Sequence, residues 1–289
     1  MRTEQEVLTQ FDDFAYGNDL VRAAVLTSSR VDPEGVIDFL SDYDIEMYVA
    51  DLRSFQQDDD WLRAFGPVMV RWPLKPCSTV DENWITRLVL FKDGVRIDFQ
   101  ITDKTKIESD AYNNGYRVLI DKDNLTTGLC KPTFSEYIIQ KPSRQEYETL
   151  VHEFWWDATY VPKYLWRDEL PFAKYMLDKV ILYSYLQRVV EWYVGTQNDW
   201  SINTGTHGKR FKQYLDNEIW AHLESTYVGA DIEDNWRAFL KTTELFRKLA
   251  TVVGRNIGCE YPTNLDEEVT QYCSNIRSMK ITDDVNKAI

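Results

Sequence analysis

The spacing of apolar residues changes near residue 140, and this change divides the chain into two regions. In the first region Val7, Leu8, Phe11 and Phe14 recur at helical spacing, which predicts an amphipathic helix over residues 3–16. Short β-rich runs bounded by turn residues follow. They predict strands at residues 21–26, 45–50 and 68–72, and an edge strand at 117–120.

The segment ITRLVLFKDGVRIDFQI, residues 85–101, predicts a β-hairpin. Lys92, Asp93 and Gly94 form a tight turn between two β-rich runs. Side chains alternate across a strand, so the second arm places one set of residues on an apolar face and another on a polar face. The apolar set is Val95, Ile97, Phe99 and Ile101, and the polar set is Arg96, Asp98 and Gln100. Asp98 therefore leaves the apolar side of the sheet at mid-strand.

Helical patterns account for much of the remaining chain. Residues 54–65 predict a helix with Asp58 to Asp60 on its solvent side. After Pro142, the sequence Ser-Arg-Gln-Glu at 143–146 has the form of a capping box. Further helices are predicted at 144–161, 167–196, 206–215, 219–226, 231–257 and 264–278, before a polar tail. The expected organisation is a mixed α/β domain of residues 1–140 followed by an all-helical domain of residues 141–289.

Composition narrows the classes of function. The net charge of −14 repels phosphate backbones and argues against nucleic-acid binding, whereas it favours a polycationic small molecule. Absence of an apolar run of about 20 residues argues against a membrane span. The polar, acidic N-terminus does not resemble a secretory signal. Four scattered cysteines without a CxxC pair predict free thiols in a reducing cytoplasm.

Two carboxylates stand at the start of the predicted second strand. Asp42 and Asp44 are two residues apart, so an extended chain directs both to one face. Asp98, from a neighbouring strand, would complete a trio. Such a trio needs cations, and one or two Mg²⁺ ions would convert it into an oxygen cage for nucleotide phosphates. Upstream, residues 28–30 (Ser-Ser-Arg) offer hydroxyls and backbone N–H groups to phosphate oxygens.

The order of these motifs resembles that of the nucleotidyltransferase superfamily, in which Gly-Ser, Asp-x-Asp and a third Asp follow one another. Over residues 2–275 the chain is similar to the bacterial aminoglycoside 6-adenylyltransferases. Segments that support this resemblance are VRAAVLTSSR, DYDIEMYVAD, LVLFKDGVRIDFQI, KPSRQEYETLVHEFWWDATYVPKYLWRDELPFA and EYPTNLDEEVTQY. The resemblance implies an α+β fold, with a mixed nucleotidyltransferase-like sheet flanked by helices and a C-terminal helical bundle.

The resemblance also implies an activity, namely Mg²⁺-dependent transfer of AMP from ATP to a hydroxyl of an aminoglycoside such as streptomycin, with release of pyrophosphate. Asp42 and Asp44 would hold the metal, and Asp98 would join them or accept the proton of the attacking hydroxyl. The groups expected to contact the triphosphate are Ser28, Ser29, Arg30, Lys163 and Lys209. For each lysine the alternative is an exposed residue without a role.

A cationic acceptor needs acidic and aromatic neighbours. The candidates are Glu153, Trp155 and Trp156 on the first C-terminal helix, with Glu169 as a weaker one. For either tryptophan, packing in the helical core is the alternative. These assignments predict substrate contacts in the helical domain.

Two departures from the family pattern leave alternatives open. Ser28 stands where the family has a glycine, and it adds a Cβ and a hydroxyl. Residues 172–176 (Phe-Ala-Lys-Tyr-Met) replace the family's F-A-x-D-H, which removes an acid at Tyr175. The acceptor is therefore an aminoglycoside, another small molecule or a protein hydroxyl, or the chain is a non-catalytic binding protein on the same scaffold. The sequence leaves monomer and homodimer undecided.

Overall fold

The computed structural model describes residues 1–75 and 83–279. Two predictions, the free thiol of Cys77 and the polar tail beyond residue 279, lie outside these ranges. The chain divides into two compact units, Met1–Glu136 and Tyr137–Ile289.

The first unit is built around a mixed β-sheet. Its strands are β1 (Val21–Thr27), β2 (Tyr43–Val49), β3 (Val68–Trp72), β4 (Trp84–Phe91), β5 (Arg96–Asp103) and β6 (Arg117–Asp121). Its helices are α1 (Glu4–Gly17) and α2 (Leu52–Gln57), with 3₁₀ turns at Ser28–Arg30, Asp60–Phe65, Lys104–Lys106 and Leu125–Gly128. The predicted helix at 3–16, the hairpin and the edge strand β6 are confirmed.

Six strands of the described chain pair in the order β3-β4-β5-β2-β1-β6. β2 and β5 run parallel, while the other neighbours are antiparallel. This arrangement puts the start of β2 beside the start of β5. The predicted acidic residues of both strands are therefore at the same end of the sheet.

The two faces of this sheet differ in chemistry. Alternate residues of β2 and β5, among them Ile45, Met47, Ile97 and Phe99, are fully buried in an apolar core beneath α1. Aromatic rings of this core meet at short range, since the centroids of Trp61 and Phe99 are 4.9 Å apart. The intervening residues of β2 and β5 lie on the opposite face, which holds the polar side chains.

One prediction in this unit is wrong. Residues 54–65 do not form a continuous helix, because α2 ends at Gln57 and a separate 3₁₀ turn begins at Asp60. Asp59 lies at the break and is buried, whereas it was expected on the solvent side. Its carboxylate accepts hydrogen bonds from Arg87 Nε at 2.6 Å and Arg71 Nη1 at 2.5 Å. These two arginines explain why a carboxylate is stable there.

The second unit, as far as it is described, is helical. Its α-helices are α3 (Arg144–Ala158), α4 (Tyr160–Trp166), α5 (Leu170–Lys174), α6 (Gln187–Gln197), α7 (Phe211–Tyr214), α8 (Asn217–Glu224), α9 (Ile232–Ile257) and α10 (Thr263–Ser278). A π-helical segment, Tyr175–Leu186, joins α5 to α6. The predicted helix at 206–215 is instead a 3₁₀ turn at Thr206–Gly208 followed by α7, because His207 adopts a positive φ of 57°.

The helices of this unit enclose their own apolar core. α3 begins with the predicted capping box, in which Ser143 and Glu146 each accept a hydrogen bond from the other's backbone N–H. From α3, Phe154 stacks on Phe246 of α9 with a centroid separation of 3.5 Å. α9 ends at Ile257, and Gly258 follows as its C-cap with a left-handed φ of 76° that suits glycine. The predicted α+β fold class is confirmed.

Two smaller expectations can be compared with the described residues. Of the cysteines they include, Cys130, Cys259 and Cys273 are free. Within residues 1–75 and 83–279, no helix has the length and apolar character that a membrane span requires.

Candidate active site

The pairing of β2 with β5 brings two of the predicted acids together. Asp44 and Asp98 are direct partners across the parallel ladder, and Thr27 of β1 faces Asp44 from the other side. Both carboxylates belong to the polar face, because their neighbours Ile45, Ile97 and Phe99 fill the apolar core. Asp98 is 9% exposed, so its carboxylate lies in a partly desolvated position.

Asp42 lies one residue before β2 and is linked to Asp98 through Arg96. The Arg96 guanidinium donates from Nε and Nη2 to the two oxygens of Asp98, at 2.9 and 2.7 Å. The same Nε lies 3.5 Å from Asp42 Oδ2. Two members of the predicted trio, Asp42 and Asp98, thus share one guanidinium, and the third, Asp44, is the ladder partner of Asp98.

Burial and mutual repulsion change the acidity of these residues. Burial is the main cause that raises the pKa of Asp44, and the charges of Asp98 and Asp42 add to it, while a hydrogen bond from Ser28 lowers it. Burial likewise raises the pKa of Asp42, against an opposing effect of Arg96. The arrangement therefore concentrates negative charge that a cation would stabilise.

The donor set matches the chemistry of a hard divalent cation, since carboxylate oxygens are the ligands that Mg²⁺ prefers. In the conformation described, however, no group of three or more His, Cys, Asp or Glu side chains within residues 1–75 and 83–279 is close enough to hold a metal ion. A positive group, the Arg96 guanidinium, already bridges Asp42 and Asp98. The residue types fit a metal, and a guanidinium stands in for its charge.

The segment after β1 adjoins these acids. Ser28 has a φ of 61°, and its side chain lowers the pKa of Asp44. Ser29 is half-buried, and Arg30 is buried. The guanidinium of Arg30 donates to the carbonyl oxygens of Asp42 and Ser41 at 2.9 and 2.6 Å.

Arg30 also bonds beyond this loop. It donates to Glu4 Oε2 at 3.0 Å and lies 3.6 Å from the ring centroid of Tyr43. With these partners Arg30 holds the backbone that positions Asp42, and its guanidinium is already engaged before any phosphate binds.

The two lysines predicted to contact phosphate lie in the helical unit. Lys163 of α4 is half-buried, with its ammonium 5.0 Å from the ring centroid of Tyr160 and 5.9 Å from that of Tyr272. Lys209 is exposed and follows the 3₁₀ turn at Thr206–Gly208.

The acceptor-binding candidates of α3 differ in exposure. Trp156 is 68% exposed, and Glu153 is exposed on a groove of about 450 Å³ that Arg188 and Trp192 also line. Trp155 is fully buried, and its Nε1 donates to the Tyr261 hydroxyl at 2.9 Å. Trp155 therefore packs the core in this structure, so Trp156 is the tryptophan available to a ligand.

Glu169 is exposed and immediately precedes α5. Its side chain makes no capping hydrogen bond to that helix. Its carboxylate is therefore not committed to the start of α5.

Comparison with known proteins decides the family. The model of the family described as streptomycin adenylyltransferase matches residues 1–276. The chain belongs to this family. The predicted class of enzyme, a nucleotidyltransferase, is confirmed by this match and by the curated relatives.

Those relatives match over nearly their whole length. An aminoglycoside 6-adenylyltransferase of Bacillus subtilis (strain 168) is 33% identical over 281 residues, which cover 96% of this chain and 98% of the relative. A Campylobacter jejuni protein of the same name is 30% identical, with 99% and 100% covered. A crystal structure of an aminoglycoside 6-adenyltransferase from B. subtilis aligns with a TM-score of 0.47 and 28% identity, covering 96% of this chain and 100% of the other.

Two charged residues of this adenylyltransferase-family site were not predicted to have a role. A role for Arg96 could have been predicted from its position two residues before Asp98, on the same face of β5. Glu46 lies two residues after Asp44, and it accepts a hydrogen bond from the Tyr112 hydroxyl at 2.6 Å. The signal in both cases is the two-residue strand period applied to charged residues next to the predicted acids.

Proposed function

We propose that this protein catalyses Mg²⁺-dependent transfer of AMP from ATP to a hydroxyl of an aminoglycoside, with streptomycin as the preferred acceptor and pyrophosphate as the second product. The observation that supports it most is the position of the three acids in a chain of the adenylyltransferase family. Asp44 and Asp98 are partners on adjacent strands, and Asp42 and Asp98 both contact the guanidinium of Arg96.

The chemistry assigns a role to each acid. Asp42 and Asp44 would hold the metal, which supplies positive charge that offsets the charge on the α-phosphate and pyrophosphate. Asp98 would join them or accept, on a carboxylate oxygen, the proton of the attacking hydroxyl. The acceptor oxygen forms a bond to the α-phosphorus, the bond from that phosphorus to the β-phosphate oxygen breaks, and pyrophosphate leaves.

The other predicted residues would position the two substrates. The hydroxyls of Ser28 and Ser29 would contact phosphate oxygens, and Lys163 and Lys209 would contact the triphosphate. Among the acceptor candidates, Glu153 and Glu169 provide negative charge and Trp156 an exposed aromatic surface. A polycationic acceptor also suits a chain with a net charge of −14.

The test combines purified protein, ATP, MgCl₂ and a panel of aminoglycosides. We expect pyrophosphate release that requires the metal, and an acceptor heavier by one adenylyl group in the mass spectrum. Asp42→Asn should abolish the reaction, while Asp13→Asn, on the exposed side of α1, is a matched control that should not. Expression in a sensitive bacterium should protect it against streptomycin.

A different acceptor is the second candidate, and the replacement at Tyr175 favours it. Tyr175 is 56% exposed where the family has an acid, and the preceding Lys174 pairs with Asp178 at 2.9 Å. Pyrophosphate release with another hydroxyl compound, but with no aminoglycoside of the panel, would select this candidate. If no acceptor causes ATP to be consumed, the chain is a binding protein on this scaffold.

A further inference from the structure

Arg96 contacts two of the three proposed metal ligands. Its guanidinium forms a bidentate ion pair with Asp98 and also contacts Asp42. Among the described residues these two acids are its ion-pair partners. Two carboxylates that would repel one another are thus held together by a positive group that belongs to the chain.

The position of this guanidinium conflicts with a bound metal. Mg²⁺ requires oxygen ligands at about 2.0–2.1 Å in octahedral geometry. A guanidinium bonded to both oxygens of Asp98 takes one acceptor position on each oxygen and places a positive charge beside the carboxylate, so it competes with a metal for Asp98. The charge of Arg96 therefore opposes metal ligation by Asp98, and release of Asp98 by Arg96 would favour it.

The side chain of Arg96 is able to move. It is 44% exposed, whereas the side chain of Asp98 is only 12% exposed. Arg96 also lines a cavity of about 250 Å³ beside Ser41 and Tyr43, so there is open space next to it. Guanidinium groups bind phosphate oxygens with the same bidentate geometry that they use for carboxylates.

We propose that Arg96 is an exchangeable counter-ion of the active site. Before the metal–nucleotide complex binds, Arg96 holds Asp42 and Asp98 in place. When the complex binds, Arg96 releases Asp98, which then ligates the metal, and Arg96 pairs with a phosphate of the nucleotide. This inference rests on the proposed function, because it assumes that a metal–triphosphate complex is the ligand.

The test measures binding without turnover. Mn²⁺ affinity is measured by electron paramagnetic resonance in the absence of nucleotide, and ATP affinity by calorimetry in the presence of EDTA. The variants are Arg96→Met, which removes the charge and keeps the length, and Arg96→Lys, which keeps the charge. Arg63→Gln, an exposed arginine paired with Asp60, is the control. Circular dichroism establishes that each variant is folded.

The expected results have opposite signs. Arg96→Met should bind Mn²⁺ about tenfold more tightly, because a competing positive charge is gone, and should bind metal-free ATP about tenfold more weakly. Arg96→Lys should lie between Arg96→Met and the parent, and Arg63→Gln should match the parent. If the substitution only disturbed the local structure, the variant would bind both Mn²⁺ and ATP more weakly.

The outcomes separate this inference from the proposed function. Unchanged or weaker Mn²⁺ binding in Arg96→Met overturns the counter-ion role, even if the parent adenylylates an aminoglycoside. A parent that consumes no ATP with any acceptor, yet shows tighter Mn²⁺ binding after Arg96→Met, retains the counter-ion role and loses the proposed function. If neither the parent nor Arg96→Met binds Mn²⁺, the inference is wrong.

Discussion

Ser28 holds a backbone conformation that most side chains avoid. Its φ of 61° lies in the left-handed region, where a Cβ crowds the following carbonyl at a cost of about 1–2 kcal/mol and glycine has no such cost. The hydroxyl of Ser28 lowers the pKa of Asp44, so it favours the ionised carboxylate there. Compared with glycine, Ser28 therefore has a strained backbone but adds a hydroxyl that acts on a proposed metal ligand.

Substitution at Ser28 should separate these two effects. Ser28→Ala keeps the strain and loses the hydroxyl, whereas Ser28→Gly loses both. We expect Ser28→Ala to be about 1 kcal/mol less stable than the parent, and Ser28→Gly to be at least as stable as Ser28→Ala. Urea unfolding followed by circular dichroism measures the difference. Parent-like stability of Ser28→Ala would show that the hydroxyl adds nothing.

Glu46 extends the acidic line of β2. Burial raises the pKa of its carboxyl group, a hydrogen bond from Tyr112 lowers it, and the charge of Asp44 raises it. The folded protein therefore binds this proton more tightly than the unfolded chain does. The resulting stability is present below the pKa of an unfolded glutamate, about 4.3, and is lost as the pH rises through the folded pKa.

Glu46→Gln should remove this dependence on pH. We expect the variant to gain stability relative to the parent as the pH rises from about 4 to 7, because its amide cannot ionise. Urea midpoints measured across that range test this, with Glu224→Gln on the exposed side of α8 as the control. A constant difference between Glu46→Gln and the parent would contradict the raised pKa.

At the scale of elements, the sheet depends on a buried ion pair between β4 and the segment after α2. Arg87 is fully buried, and the side chain of Asp59 is 2% exposed. Asp59→Asn removes the buried carboxylate that pairs with both Arg87 and Arg71, so we expect a loss of about 3 kcal/mol in the free energy of unfolding. Denaturant titration measures it.

The neighbouring Asp60 provides a matched control. It pairs with Arg63, and both side chains are at least 70% exposed. Asp60→Asn should therefore change stability by less than about 1 kcal/mol. Equal effects of Asp59→Asn and Asp60→Asn would mean that burial does not determine the strength of the Asp59 pair.

These elements show what the sequence can and cannot predict. The hairpin of β4 and β5 follows from local alternation, and that alternation also places Asp98 on the polar face. Burial of Asp59 does not follow, because it depends on Arg87, which is 28 residues away. Arg96 was placed on the correct face, but its pairing with Asp42 depends on how β2 and β5 align, which no local pattern specifies.

The two tryptophans of α3 illustrate the same limit at a finer level. Trp155 and Trp156 are adjacent, so the helix directs them about 100° apart, and one is fully buried while the other is 68% exposed. The sequence resemblance to the family includes both tryptophans, so it does not indicate which of them is exposed. Only the contacts with Phe246 and Tyr261 determine which side chain the core takes.

At the scale of the whole molecule, the described chain has separate apolar cores in its two units. The helical core has its own capped helices, so a fragment of residues 137–279 should fold without residues 1–136. We expect a helical circular dichroism spectrum and a single cooperative thermal transition. A fragment that is unfolded or lacks a transition would mean that its core requires the first unit.

The net charge of −14 should affect encounter with a cationic acceptor. Salt screens such attraction, since the Debye length falls from about 10 Å at 0.1 M to about 3 Å at 1 M ionic strength. We therefore expect the KM for an aminoglycoside to rise several-fold over this range of KCl, with a smaller change in kcat. Steady-state kinetics at saturating MgATP measures both constants. The KM of an acceptor recognised through hydrogen bonds alone would not follow the salt concentration, so a flat KM would argue against recognition of the acceptor through its charge.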